Sequence, residues 1–250
     1  TAMCDYSYAI GLKALTTAKF AGSFGTWNES SGPGSFTVGS LNIASGDAAI
    51  AIGTQDTASA RCATAIGYNS RATAQFSTSL GGGVKASGFG SVAIGFNTKS
   101  SNSFATSFGN ASISSGLAST AFGNLTQATA DFATSFGASS IASGHTSTAF
   151  GNATTASGQY STAMGNKIIV SGHNSFGIGL NDTEYTISQN NTFSVMGGKV
   201  GVGTEVPASE LDVNGTVSIG DFLVLKKTSR TISGTSRSEE HTSELQSPNT

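Results

Sequence analysis

From Gly11 onward the chain places a glycine every fourteen residues: Gly25, Gly39, Gly53, Gly67, Gly81, Gly95, Gly109, Gly123, Gly137, Gly151, Gly165 and Gly179. These thirteen positions hold without insertion or deletion, which leaves one class of architecture, a stack of near-identical coils. The residue before each glycine is always large and apolar: Ile10, Phe24, Val38, Ile52, Ile66, Leu80, Ile94, Phe108, Phe122, Phe136, Phe150, Met164 and Ile178. Seven residues after the glycine comes a second small-residue column, often glycine (Gly32, Gly46, Gly88, Gly116, Gly144, Gly158, Gly172) and otherwise often Ala60, Ala74 or Ala130.

Each unit therefore reads as strand, turn, strand, turn. Glycine suits turns because it accepts positive φ, and Asn110, Asn124, Asn152 and Asn166, each just after a glycine, also tolerate that region. Within a strand alternate residues share a face, so Phe150 and Thr148 point one way and Ala149 and Ser147 the other. Stacking at ~4.8 Å per coil would line the thirteen large residues into one ladder and make a rod of about 60 Å with a narrow core. A core of one large side chain per coil is too thin to offset the ordering of fourteen residues. The expectation is that the Ala and Ser face lies against a second chain in a symmetric oligomer.

Composition removes several function classes. Charged residues make up 10% of the chain, the formal net charge is -2, and Lys and Arg nowhere cluster, so nucleic acid is not an expected partner. No apolar run approaches the length of a membrane span. The low charge and 33 glycines could signal disorder, but 37% hydrophobic residues at fixed intervals argue for a stacked core. Cys4 and Cys62 fall about four coils apart, too far for an intrachain disulfide.

The units Ser91-Val92-Ala93-Ile94-Gly95, Ser119-Thr120-Ala121-Phe122-Gly123 and Ser161-Thr162-Ala163-Met164-Gly165, with Ala-Ser-Gly at 86–88, 142–144 and 156–158, resemble the head repeat of trimeric autotransporter adhesins, the YadA-like head. The resemblance covers roughly residues 6 to 180. It implies an all-β fold, a left-handed parallel β-roll of fourteen-residue coils, as a homotrimer on the bacterial cell surface or outer membrane. Handedness and the number three come from the resemblance. Such a head would bind extracellular matrix, cell-surface or abiotic ligands. The chain departs from the family three residues before the glycine, where Thr64, Thr78, Thr106, Thr120, Thr134, Thr148 and Thr162 replace the usual Val. A buried hydroxyl there would need a partner.

The expected organisation is a head over 1–180, a neck or linker-like β module over 181–230, and a disordered end over 231–250. Gly198 to Gly215 resembles a linker module of phage tail fibres, which makes a virion tail fibre the alternative function. Within it, Pro207 to Glu210 reads as one helical turn, Asn214-Gly215 as a hairpin turn and Thr216 to Ile219 as a further strand. Residues 237–250 break every pattern. Arg237 to Ser247 matches the translation of a common sequencing adapter, so the frame is expected to have run into adapter there. Without that segment the chain has eleven basic and eleven acidic residues (12 − 1 and 14 − 3).

No catalytic, cofactor-binding or metal residues are expected, and the chain does not read as an enzyme. Between residues 37 and 179 the acids are Asp47, Asp56 and Asp131, and no two of them share a column in neighbouring coils. His145 and His173 stand two coils apart, too far to share a metal. Gly201 and Gly203 lack the third glycine and the helix of a dinucleotide site. The sequons at Asn110, Asn124 and Asn152 sit at a turn column, and turn chemistry accounts for them. The Thr column suggests ice binding as a lesser alternative, but Phe36, Ile50, Val92 and Phe176 occupy the same column and argue that it is partly buried.

Overall fold

A computed structural model describes residues 1–218. These residues form a parallel β-solenoid without a helix among them. Each coil contributes one long and one short strand. The long strands run from Tyr8–Ile10 to Phe193–Met196 and stack into a fourteen-stranded parallel sheet. The short strands, from Leu15–Thr16 to Tyr185–Ile187, stack into a thirteen-stranded sheet. The register is one coil throughout: Thr106, Ser107, Phe108, Gly109 and Asn110 pair with Thr120, Ala121, Phe122, Gly123 and Asn124. Every column of the sequence is thus a column in space, and backbone N–H groups bond to the next coil, as from Thr120 to Ala133 (2.9 Å).

The core is made of the small residues. Ala51, Ala65, Ala93, Ala121, Ala149 and Ala163 from the long strands face Ala44, Ala58, Ala72, Ala86, Ala128, Ala142 and Ala156 from the short ones, and all are fully buried. This reverses the expected orientation. The large apolar column does form a ladder, but on the outer surface: Phe122, Phe136 and Phe150 are 45%, 40% and 46% exposed. The reason is volume. The two sheets of a coil lie back to back, both inward columns are small, and no space remains between them for a phenyl ring. The Thr column shares the outer face, half-buried between neighbours or, at Thr134, exposed, so its hydroxyls need no internal partner.

Several buried serines and threonines bond to the backbone or to each other across this seam. Ser30 Oγ donates to Gly22 O (2.7 Å) and lies 2.9 Å from Thr37 Oγ1. Ser100 Oγ bonds Val92 O (2.7 Å) and Ser107 Oγ (2.7 Å). Near its end the core changes character. Ile168, Val170 and Ile187 are buried there, and Gly177 makes room for them: a Cβ on it would come within 2.7 Å of Val170 and 2.5 Å of Ile187.

The repeating glycine lies within the long strand and not in a turn. Gly53 has φ +133°, and a Cβ on it would collide with the carbonyl oxygen of Gly67 in the next coil. The left-handed turn position comes two residues later, where Gln55, Leu125 and Ala153 have φ of 60°, 57° and 51°. Asn110, Asn124, Asn152 and Asn166 accordingly end their strands. Their amides pair between coils, Asn110 Nδ2 donating to Asn124 Oδ1 (2.8 Å) and Asn152 Nδ2 to Asn166 Oδ1 (2.9 Å).

The fourteen-residue period ends at Gly179, yet the sheets continue for one coil of seventeen. Phe176 pairs with Phe193 and Ile168 with Tyr185. Beyond it, Val200–Val202 and Leu211–Val213 form a separate parallel pair. Residues 208–210 bend without forming the expected helical turn, and Ala208 N donates to Asp212 Oδ2 (2.8 Å). Among the described residues Leu211–Val213 pairs only with Val200–Val202, and residues 216–218 after Asn214-Gly215 are not in a strand. The remainder of the expected strand at Ile219, the end of the 181–230 module and the 231–250 tail lie outside the described residues.

Candidate functional surface

The residues that could carry chemistry are few and spread along the length of the solenoid. Asp47 and Arg61 form an exposed ion pair one coil apart (3.8 Å). Asp131 is exposed, and its Oδ1 accepts from Leu117 N (2.8 Å). His145 and His173 are both in exposed turns; His145 Nδ1 is 2.9 Å from Thr146 Oγ1, and His173 N donates to Asn190 Oδ1 (2.8 Å). Cys4 and Cys62 are free thiols, with Cys4 Sγ 3.1 Å from Thr17 O. Gly201 lies in the strand Val200–Val202, with no helix after it. Among the described residues no cavity opens and no three metal-ligating side chains converge.

Asp56 differs from the other acids. It is fully buried in the column three residues after the repeating glycine, above Asn28 and Asn42. Asn42 Nδ2 donates to Val38 O and Gly53 O (both 2.8 Å), and its Oδ1 accepts from Asp56 N (2.9 Å). Asp56 continues the ladder by accepting from Ser70 N (2.7 Å) and Gly67 N (2.8 Å). Burial raises its carboxyl above the usual range, against the lowering effect of those donors. It is a core residue with no route to solvent, so its role is structural.

What faces solvent is a surface of columns. The outer face of the long-strand sheet presents the Thr column beside the large apolar column. Along the latter, Phe108, Phe122, Phe136 and Phe150 stack with centroid distances of 5.7, 4.9 and 5.0 Å. One edge of this face carries the Asn pairs and the other carries turns with exposed aromatic rings.

Residues 58–83, 86–112, 114–140 and 142–167 match the family model of the YadA head domain repeat (2 copies). The chain carries YadA head repeats. They fall inside the solenoid, in phase with its coils. No curated protein matches the chain. Within the YadA head repeats the buried Ser and Ala positions and the outward large residue are now accounted for by packing. The sequence carried one signal for that orientation: five residues after each repeating glycine, from Gly11 to Gly165, stands only Thr, Ser, Ala or Val, so two small columns must face one another.

Proposed function

We propose that this chain forms the head of a homotrimeric surface adhesin, a non-catalytic rod that mediates attachment to host or environmental surfaces from outside the bacterial cell. One observation carries the reading: the continuous outward ladder of Phe, Ile, Leu and Met. An apolar strip running the length of the solenoid is larger than single soluble chains ordinarily leave in water. A second copy of the same chain offers the same strip with the same rise per coil, so ladders can meet in register in a closed assembly. The match within residues 58–167 to the YadA head repeat supports three copies and display at the cell surface. Three copies of each repeated surface column would also multiply weak contacts with a ligand.

Light scattering coupled to size exclusion tests the assembly. A mass of three chains is expected, and a stable single chain overturns it. Beads coated with the chain test adhesion: retention on matrix-coated surfaces above that of bare beads is expected. A three-chain mass without retention on cellular, matrix or abiotic surfaces would remove the adhesive role.

A further inference from the structure

A second period, twice the first, runs along the turn edge of the solenoid. The turn before each long strand holds one residue in the left-handed region. From residue 76 to 160 that residue is aromatic in alternate coils: Phe76, Phe104, Phe132 and Tyr160, with φ of 58°, 56°, 57° and 56°. The coils between place Gly90, Ala118 and Thr146 there. The four rings are 48%, 57%, 51% and 52% exposed. They recur every 28 residues, two coils, or about 9.6 Å at ~4.8 Å per strand. Phe89 stands edge-on between Phe76 and Phe104, at 5.5 and 5.6 Å. His145 stands edge-on between Phe132 and Tyr160, at 5.7 and 6.0 Å. These neighbours brace the rings apart.

The fold does not require the rings. Ala48 and Asn174 occupy the same position in other coils, and a bulky side chain with positive φ is strained where glycine is not. Nor is the edge polar enough to be only a solvated turn. Residues 73–76, 87–90, 101–104, 115–118, 129–132, 143–146 and 157–160 include one acid, Asp131, and no Lys or Arg. Immediately before each ring stands a short hydrogen-bonding side chain: Gln75, Ser103, Asp131 and Gln159.

We infer that this ridge binds an extended neutral glycan of β-1,4-linked six-membered rings. A sugar ring has an apolar face of C–H groups and a rim of hydroxyls. The aromatic faces take the first, and the adjacent Gln, Ser and Asp side chains take the second. In a flat β-1,4-linked chain every second ring turns the same side toward the protein, and two rings span close to the height of two coils. Each platform then meets an equivalent ring, and four weak contacts act together. An acidic polymer would call for cations that this edge lacks. The inference rests on the adhesive reading above and supplies its ligand class.

Affinity electrophoresis of the full chain through hydroxyethyl cellulose, a neutral β-1,4-glucan, tests it beside a triple variant, Phe104→Gly, Phe132→Gly and Tyr160→Gly. Glycine suits the positive φ, so the variant is expected to fold, and an unchanged circular-dichroism melt verifies this. The wild-type chain should be retarded and the variant should not. Titration with cellohexaose should show at least a tenfold loss of affinity in the variant. Absence of retardation in the wild type, or equal retardation of both, overturns the inference. So does loss of the three-chain mass in the variant, which would assign the ridge to contact between copies. A three-chain wild type without retardation sinks the glycan and leaves the trimeric head standing. A one-chain mass sinks the head, while retardation still decides the ridge.

Discussion

Phe122 and Phe136 lie one coil apart with ring centroids 4.9 Å apart and planes 4° from parallel, and both face away from the solenoid's core. The stacking aligns one outward side chain with the next, and the strip they form belongs to no interior. If that strip is where copies meet, its polarity should control assembly while leaving each chain folded. The double variant Phe122→Asn, Phe136→Asn should lower the solution mass from three chains toward one with the β-sheet circular dichroism retained. Retention of the full mass would locate the contact elsewhere. Loss of sheet signal would mean the strip holds up the coil itself.

Asp56 tests the inner ladder. An asparagine there could donate to Ile52 O and Gly67 O, as Asn42 does to the equivalent carbonyls (2.8 Å each). Asp56→Asn should therefore stabilise the chain at neutral pH by about 1 kcal/mol or more. The sign of the pH effect follows from the raised carboxyl. The folded state favours the protonated acid, so its contribution is fully present below the unfolded value and is lost as pH rises through the folded one. Comparing thermal midpoints from acid to neutral pH, the gap between variant and wild type should widen as pH rises. A constant gap would show that Asp56 titrates alike in both states.

The hydroxyls in the seam are not equivalent. Ser79 Oγ is buried without a hydrogen-bond partner, and the adjacent coils carry Ala65 and Ala93 in its column. Ser79→Ala should be neutral or stabilising, up to about 1 kcal/mol. Ser30→Ala should cost about 1 kcal/mol, because Gly22 O loses its side-chain donor and Thr37 Oγ1 keeps only Ser23 Oγ. Urea titration of the two variants should move the midpoint in opposite directions or move it for Ser30 alone.

Gly53 carries the closest approach between coils. Gly53→Ala must hold a side chain at φ +133° against the carbonyl of Gly67. It should destabilise by about 1–3 kcal/mol or more. Because each coil touches only its neighbours, the loss should centre on coils around residues 40–80. Hydrogen exchange should speed there and stay slow near residue 149. Uniform acceleration would show that the solenoid unfolds as one unit.

The coil length, the parallel stacking in register and the columns were legible in the residues, because a fourteen-residue period without slips permits no other alignment. The sequence also spread its candidate acids and histidines along the rod, Asp47, Asp131, His145 and His173 recurring along one turn column and Asp56 standing in another. Tertiary structure decided which face of the long strand is inside. Alternation divides a strand into two faces without saying which is buried, and hydrophobicity alone would choose Phe150 over Ala149. The choice is made by the short strand behind it, whose Ala156 leaves room only for Ala149 and Ser147 and sends the ring outward. The position of the left-handed turn was likewise set by the coil's geometry, two residues past the glycine, where side chains as different as Gln55, Leu125 and Ala153 adopt it. The double period of aromatic rings was present in the sequence throughout. Only the stacked turns showed that Phe76, Phe104, Phe132 and Tyr160 share one exposed edge, because an edge exists only once successive coils lie one above another.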